Sequence, residues 1–480
     1  MTIRDRTERT QKNGRTGSAV STSSAAAAAT FSVVAPEAVI GKGGKSPNEK
    51  LNIAGVGLGS MGYTTLENCV CPENLGGPWR SQSDNANVVA LCDVDWKSAA
   101  EALDRFPKAK KYTDYRRMLD REKNIDAVVV ATPDHTHAVV TAEAMKRGKH
   151  VYTQMPLAHD VWEVRQLQRI AREADVVTQL GVQRHSSPTL RRSVEWVRDG
   201  AVGHVHEVHC WTRRPTWPQG MGRPGRGSSA PSSLDWDLWL GPAPKRDYHR
   251  AYHPYGWRGW QDFGTGALGA MGCHVMDAAF WALHLDEADH FAVEACSTGV
   301  NEETWPGASV VRYYFPARGD EPPVTIHWYD GGLKPKRPEG IPELHGLDAN
   351  GTLFVGDKGK LACGAVANVN DPDDDVPILL PISRLKAYNP PKKSLPRIKG
   401  PWEHNWLGNH EHDWVDACEK GEPACCGFDY GGPLTEVALM GNIALLSGEY
   451  VKWDRKKMKI THPKDANKHL RREYRKGWSL

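Results

Sequence analysis

Nowhere in this 480-residue sequence does an apolar run approach the ~20 residues a helix needs to cross a bilayer, so no membrane partner is expected. An excess of one charge is missing too. Lys and Arg total 61 against 58 Asp and Glu, a formal net charge of +3. That balance argues against nucleic acid as a partner, and no basic motif is interleaved with aromatics. The basic runs Arg455–Lys459 and Arg471–Arg475 read as solvated faces or a packed tail. Among ten cysteines no CxxC pair occurs, which removes the usual zinc modules, and no spacing suggests a disulfide framework. Cys92, Cys210 and Cys296 lie in apolar runs, as buried free thiols do. His410 and His412 invite a metal, but residues two apart on a helix face different ways, so they read as structural. No metal is expected. What remains is a long, balanced chain with room for two or three domains.

What is present is organised around Leu51–Gly62, LNIAGVGLGSMG. Asn52 to Val56 is a short apolar run suited to a strand buried on both faces. G-x-G-x-x-G follows, with Gly57 for a tight turn, Gly59 for backbone approach to a pyrophosphate, and Gly62 for close helix–strand packing. A helix opening near Ser60 and Met61 would aim its N–H groups at the phosphates. A second buried strand, Asn87–Cys92, ends in Asp93-Val94-Asp95. Asp93 is placed to accept from a ribose 2′-OH and would repel a 2′-phosphate, so NAD is expected over NADP. The acid comes later than the usual ~20 residues after the turn, and the excess fits a loop insertion at Cys71–Asn85.

Residues 1–50 differ from the rest. Arg4, Arg6, Arg9, Lys12 and Arg15 lead into a small-residue and apolar run, Ser18–Ile40, then a Gly/Lys linker. This reads as a degenerate twin-arginine-like or secretory leader without an Arg-Arg pair, hence export to the periplasm; the alternative is a disordered leader on a cytoplasmic protein. After Asp95 helix and strand alternate: helices at Trp96–Phe106, Tyr115–Glu122, Thr136–Arg147 and Asp160–Ala174, strands at Ile125–Ala131, His150–Thr153 and Val176–Leu180. Such βα units make a parallel, doubly wound α/β sheet, with ligand atoms at the strands' carboxyl ends. Three of those ends are chemically rich: Gly57–Gly62, the Thr132-Pro133-Asp134-His135-Thr136-His137 segment, and Gln154-Met155-Pro156.

From Ser187 the pattern changes. A helix at Thr189–Arg198 leads to a strand at His204–Arg213, a Pro/Gly/Ser-rich insertion at Pro215–Ser233, and a helix carrying Cys273–Leu283. Strands follow near Phe291–Val300, Ser309–Phe315 and Val324–Tyr329, and Asn405–Trp453 reads as two helices and a short strand packing back. Strands gathered in one half predict an α+β domain with a largely antiparallel open sheet. The expected organisation is a leader at 1–50, a Rossmann domain at 51–185 and an α+β substrate and oligomerisation domain at 186–480.

These residues together resemble the Gfo/Idh/MocA oxidoreductases, the family of glucose–fructose oxidoreductase and inositol dehydrogenase. The likeness rests on GLGSMG, ALCDVD, TPDHTHA, the turn at Gln154–Pro156 and GTGALGAMGCHVMD at Gly264–Asp277. LDWDLWLGPAP at Leu234–Pro244 and the terminal LRREYRKGWSL are similar to an exported branch common in Bacteroidetes and Planctomycetes. The resemblance implies NAD, a sugar or polyol substrate, and a homo-oligomer, dimer or tetramer. For Thr132, Pro133, Asp134, His137, Gln154, Met155 and Pro156 it implies a cofactor role. Two positions depart from it. Met155 stands where the family usually has a substrate-binding lysine, and Ala270 where it often has an aspartate. Neither a thioether nor a methyl group can carry a proton to a substrate oxygen.

His274 remains. Removing a carbinol proton needs a base near neutral pKa, which imidazole supplies at ~6.5. His274 is expected at a Gly-rich loop-to-helix entry as a catalytic or substrate-binding residue, the alternative being a structural one. Asp277, one turn on, is a candidate to orient it, and His185 in GVQRHSS follows a strand end that faces the same cleft. Seven tryptophans from Trp211 to Trp281 are core, interface or stacking walls for sugar rings. The resemblance leaves three readings open: an NAD-dependent carbohydrate dehydrogenase with reduced or altered catalysis, an NAD-dependent redox glycoside-cleaving enzyme, or an inactive NAD- and sugar-binding protein.

Overall fold

The structure is a computed structural model that describes residues 50–70, 86–341, 346–364, 377–398 and 406–480. The leader, up to residue 49, and the insertion Cys71–Asn85 lie outside the described residues. The first half alternates β1 (Leu51–Val56), α1 (Met61–Val70), β2 (Ala86–Cys92), α2 (Ala100–Arg105), β3 (Lys110–Tyr112) and α3 (Tyr115–Arg121). It continues through β4 (Ala127–Val130), α4 (Asp134–Lys146), β5 (His150–Gln154), α5 (Val161–Ala174) and β6 (Thr178–Gly181). The six strands form one parallel sheet in the order β3-β2-β1-β4-β5-β6, the doubly wound arrangement expected from the alternation. The central strand β4 is buried at every residue, as helices on both faces require.

Caps set several helix starts. Asp160 accepts from the Glu163 N–H while the Glu163 side chain answers the Asp160 N–H, a complete capping box for α5. Two elements of this half stand apart from expectation. The helix expected from Trp96 begins only at Ala100, because the Asp95 carboxylate takes the Lys97 N–H and holds that turn out of the helix. β3 has no apolar alternation to announce it. It is an edge strand with two exposed lysines, formed by pairing with β2.

The second half opens with α6 (Pro188–Arg198), capped by Ser187, and continues through β7 (Val205–Thr212), α7 (Trp236–Leu240), α8 (Gly266–Ala282), β8 (His290–Ser297), β9 (Ser309–Phe315) and β10 (Val324–Tyr329). Next come β11 (Asn350–Gly356), β12 (Gly359–Cys363), β13 (Ile378–Leu380), α9 (Ile382–Ala387), α10 (Trp406–Lys420), α11 (Phe428–Ser447), β14 (Val451–Asp454) and β15 (Lys459–His462). Nine strands order as β13-β12-β11-β7-β10-β9-β8-β14-β15, and every pairing is antiparallel except β7 with β10. One face of this sheet packs on α8 and α11. Those two helices cross closely, since a Cβ on Gly272 would sit 3.1 Å from the Ala438 Cβ. Cys296, expected buried, is exposed near the end of β8, while the other described cysteines are free and buried or half-buried. The basic runs divide: Lys456 and Lys457 are solvated, whereas Arg455 is buried on Glu436 and Arg472 on Glu163.

Candidate functional site

The three carboxyl ends of the parallel sheet are bonded into one edge. Gly57 has φ +81° and donates its N–H to Cys92 O at 2.9 Å, and a Cβ there would lie 2.7 Å from the Ala131 carbonyl carbon. A Cβ on Gly62 would meet Gly57 O at 1.9 Å, so the turn and α1 depend on both glycines. Ser60 turns the chain at φ +43° and Met61 opens α1. His137 places Nε2 2.8 Å from Thr132 O and Nδ1 2.8 Å from Pro156 O, pinning the second end to the third. Gln154 Nε2 donates to Thr65 Oγ1 at 2.9 Å, which returns the third end to α1.

The edge also fits a dinucleotide by what it leaves open. At Gly59 the nearest atoms to an added Cβ are Ser98 O at 3.7 Å and Ser98 Cβ at 3.8 Å, ordinary contacts. Among the described residues nothing demands glycine there, and free space at that backbone is what an approaching pyrophosphate requires. The Thr132 hydroxyl is buried without a partner. Asp93 accepts the Leu58 N–H at 2.6 Å and the Asp95 N–H at 2.8 Å, one on each oxygen, which leaves lone pairs for a ribose hydroxyl. Burial pushes its carboxyl up, against those two N–H groups. The carboxylate of Asp95 is taken up by His253, Ser98 and Ser233, each at 2.8 Å. A cleft of about 530 Å³ is lined by Lys111, Tyr112, Asp114, Arg117 and Asp235 among others, and the Tyr112 carbonyl accepts the Asp93 N–H at 3.1 Å.

The segment from Leu234 to Phe263 closes over this end as an aromatic cluster. Trp239, Trp257 and Trp260 are buried in it, Trp236 and Trp239 stack at 4.6 Å, and the buried His135 sits against Trp239 and Phe263. Core is therefore the right reading for most of those tryptophans. Tyr255 is the exposed aromatic of the group at 46%, with the Arg258 guanidinium 4.7 Å from its ring centre.

The link to the second half runs through Asp134, whose Oδ2 accepts both the N–H (2.9 Å) and the hydroxyl (2.5 Å) of Thr265. Thr265 immediately precedes α8, so His274 is the ninth residue of a helix and not the loop-to-helix entry expected. Of the glycines that suggested a loop, Gly264 and Gly266 do lie at the entry, whereas Gly272 sits inside the helix and packs against Ala438 of α11. His274 is half-buried, and its Nδ1 is buried with no hydrogen-bond partner among the described residues. Burial, then the nearby Arg184 guanidinium, lowers its pKa to about 4, so the imidazole is neutral at pH 7. Thr435 on α11 touches both sides of the site, accepting the Leu157 N–H at 3.3 Å and lying 3.7 Å from Cys273 Sγ. That places the Met155–Pro156 turn one side chain away from the His274 helix. Met155 is half-buried and packed on the core.

Asp277 does not orient His274. Its carboxylate holds His185 Nδ1 at 3.0 Å and accepts the Tyr430 hydroxyl at 2.5 Å. His185 stacks on Trp281 with centroids 4.1 Å apart and is 2% exposed, so this dyad is buried behind α8. The i,i+3 spacing suggested the wrong partner, because a carboxylate on α8 faces the turn before α6. Tyr430, Thr435 and Arg184 escaped the sequence reading. Only Arg184, beside His185, carried a local signal. His410 lies between Ser186 Oγ (2.8 Å) and Leu180 O (2.9 Å), a structural role as expected.

Comparison with known proteins agrees with this architecture. The oxidoreductase-family model for an NAD-binding Rossmann fold matches residues 51–182, and that family's C-terminal α/β-domain model matches 217–315. A myo-inositol 2-dehydrogenase of Thermotoga maritima is 26% identical over 168 residues, 35% of this chain and 47% of its own length. A levoglucosan dehydrogenase of Pseudarthrobacter phenanthrenivorans is 26% identical over 233 residues, 48% of this chain and 50% of its own. The chain thus spans about half the length of the curated relatives it matches. A solved levoglucosan dehydrogenase in complex with NADH and levoglucosan covers 84% of this chain and 99% of its own, with TM-score 0.54 and 18% identity, which shows a shared fold. Motifs, sheet order and both domain models converge: the chain belongs to the Gfo/Idh/MocA oxidoreductases, with an NAD-binding Rossmann domain followed by the family's C-terminal α/β domain.

Proposed function

We propose that the chain oxidises a hydroxyl of a small sugar or polyol with NAD, at reduced or altered turnover. NAD, when bound, supplies the hydride acceptor. Gly59 admits its pyrophosphate, Asp93 accepts from its ribose, and the bonded edge from Thr132 to Pro156 walls the nicotinamide end. His274 takes the hydroxyl proton on a ring nitrogen. The observation that carries this reading is the unpartnered Nδ1 of His274, on a helix joined to that edge by Asp134–Thr265 and by Thr435. Relatives named for inositol and levoglucosan support the substrate class.

A second reading, an NAD- and sugar-binding protein without turnover, draws on two observations. Met155 supplies no ammonium at the turn, and a base held at about 4 is a weak proton acceptor. One assay separates the readings. The full chain is titrated with NAD calorimetrically, then given a panel of polyols, free sugars and glycosides while NADH and released sugar are followed. NADH accumulation that His274→Ala abolishes supports the dehydrogenase. Cleaved glycoside without NADH supports in-place redox recycling, binding alone supports the inactive protein, and no NAD binding sinks all three. Export and self-association are also proposed, from the leader's composition and the family resemblance.

A further inference from the structure

We propose that Glu207, His209 and His327 form a binding site for one divalent cation of the zinc type, on the face of the C-terminal sheet turned away from α8. No two of these residues form a recognisable motif with the third, since β7 carries two and β10 the other. The parallel register brings them together: His327 pairs with His209 and Thr325 with Glu207. Alternation along β7 then puts Glu207 and His209 on one face, while Val208 and Cys210 point inward, Cys210 donating to Val275 O of α8. The site is therefore separated from the cofactor edge by the sheet and by α8, and it does not rest on the proposed reaction.

The donor atoms converge. His327 Nε2 lies 2.8 Å and His209 Nε2 3.4 Å from Glu207 Oε1, and one donor atom from each residue falls within 4.8 Å of the others. Ligands bound to zinc at ~2.0–2.1 Å in a tetrahedron stand about 3.3 Å apart. Two of the three spacings bracket that value, and the third lies within 4.8 Å. The imidazoles stack with centroids 5.0 Å apart at 24°, and Tyr329 OH lies 3.1 Å from His209 Nδ1. That contact engages the far ring nitrogen and leaves Nε2 to ligate, the usual outer-shell support of a metal-bound histidine. The rings and the carboxylate are half-buried, so a bound ion keeps a position open to water or to a partner. Arg312, which pairs with His327 across β9, adds an opposing charge, answered in part by Glu294 at 3.2 Å. Two imidazoles and one carboxylate select zinc, cobalt, nickel or copper and not calcium or magnesium, which want oxygen.

The test uses the untagged full chain stripped with a chelator. Zn²⁺ is titrated calorimetrically and Co²⁺ by its visible absorption, for the unmodified protein and for His209→Gln/His327→Gln. The expected result is one equivalent, with a Kd tighter than ~10 µM, that the double variant lacks. Tyr329→Phe keeps all three ligands and should weaken that equivalent by about 10–100-fold. Zn²⁺ should raise the melting temperature of the unmodified protein and not that of the double variant. NAD binding should be equal in both. Equal metal uptake by the two proteins overturns the proposal, as does uptake weaker than ~100 µM by the unmodified one. If the double variant fails to fold, Glu207→Gln replaces it under the same criteria.

Discussion

The cofactor edge and the α8 face of the same site are built on opposite plans. At the edge Asp93 is answered by two N–H groups, His137 by two carbonyls and Gln154 by Thr65, all within the Rossmann half, while the Thr132 hydroxyl is left open. On α8 the dyad His185–Asp277 is closed off with Tyr430, while His274 keeps a buried nitrogen with no partner. An edge made of backbone and glycine holds a ligand common to a whole family. The α8 face instead leaves one imidazole nitrogen unsatisfied among the described residues.

The largest effect expected is at the unsatisfied histidine. His274→Ala should lower NADH formation by about 10²–10⁴-fold, the range of a positioned acid–base group, with NAD affinity unchanged in calorimetry. Unchanged turnover would erase the contrast between the two histidines and move attention to His185. The edge is tested by Gly59→Ala. Its Cβ meets only ordinary contacts, so the melting temperature should hold while NAD Kd rises about tenfold or more, the effect of roughly 1.4 kcal/mol of clash with the pyrophosphate. A fall in stability with no change in Kd would make Gly59 a structural glycine like Gly62.

Smaller changes sharpen the comparison. Met155→Lys should raise turnover several-fold by returning an ammonium to the turn, and Ala270→Asp should add to it. A neutral or harmful Met155→Lys would mean that this face runs its own chemistry. Asp93→Ala should narrow the preference for NAD over NADP, measured as the ratio of the two Kd values. A separate effect is on stability. Burial holds His274, His410 and His412 at about 4 and His135 at about 3 in the fold, against ~6.5 in an unfolded chain. Below ~6.5 the unfolded state binds more protons, so the stability present above that pH is lost as pH falls toward 4. Urea midpoints at pH 7 and 5 should differ in that sense, and equal midpoints would contradict it.

How far the sequence could be read follows from the range of the interactions involved. Val56–Gly62 and the apolar run of β4 are local, and glycine chemistry and periodicity announce them directly. The antiparallel strands Ser309–Phe315 and Val324–Tyr329 were legible for the same reason. β3, by contrast, has no pattern of its own and exists because β2 offers it an edge. Asp277 could be named as a candidate, but three-residue spacing pointed it at His274, and only packing showed that it faces His185 and Tyr430.

By itself, then, the sequence determined the doubly wound half and the cofactor class, because each is written within short runs of neighbouring positions. The tertiary structure alone decided how those residues pair. Thr435 reaches both Leu157 and Cys273, Asp134 anchors α8 through Thr265, and His327 meets Glu207 and His209, all across separations that no local pattern encodes. A side chain's partner is chosen by register and helix crossing, and those are settled only when the hydrophobic faces of both halves are buried together.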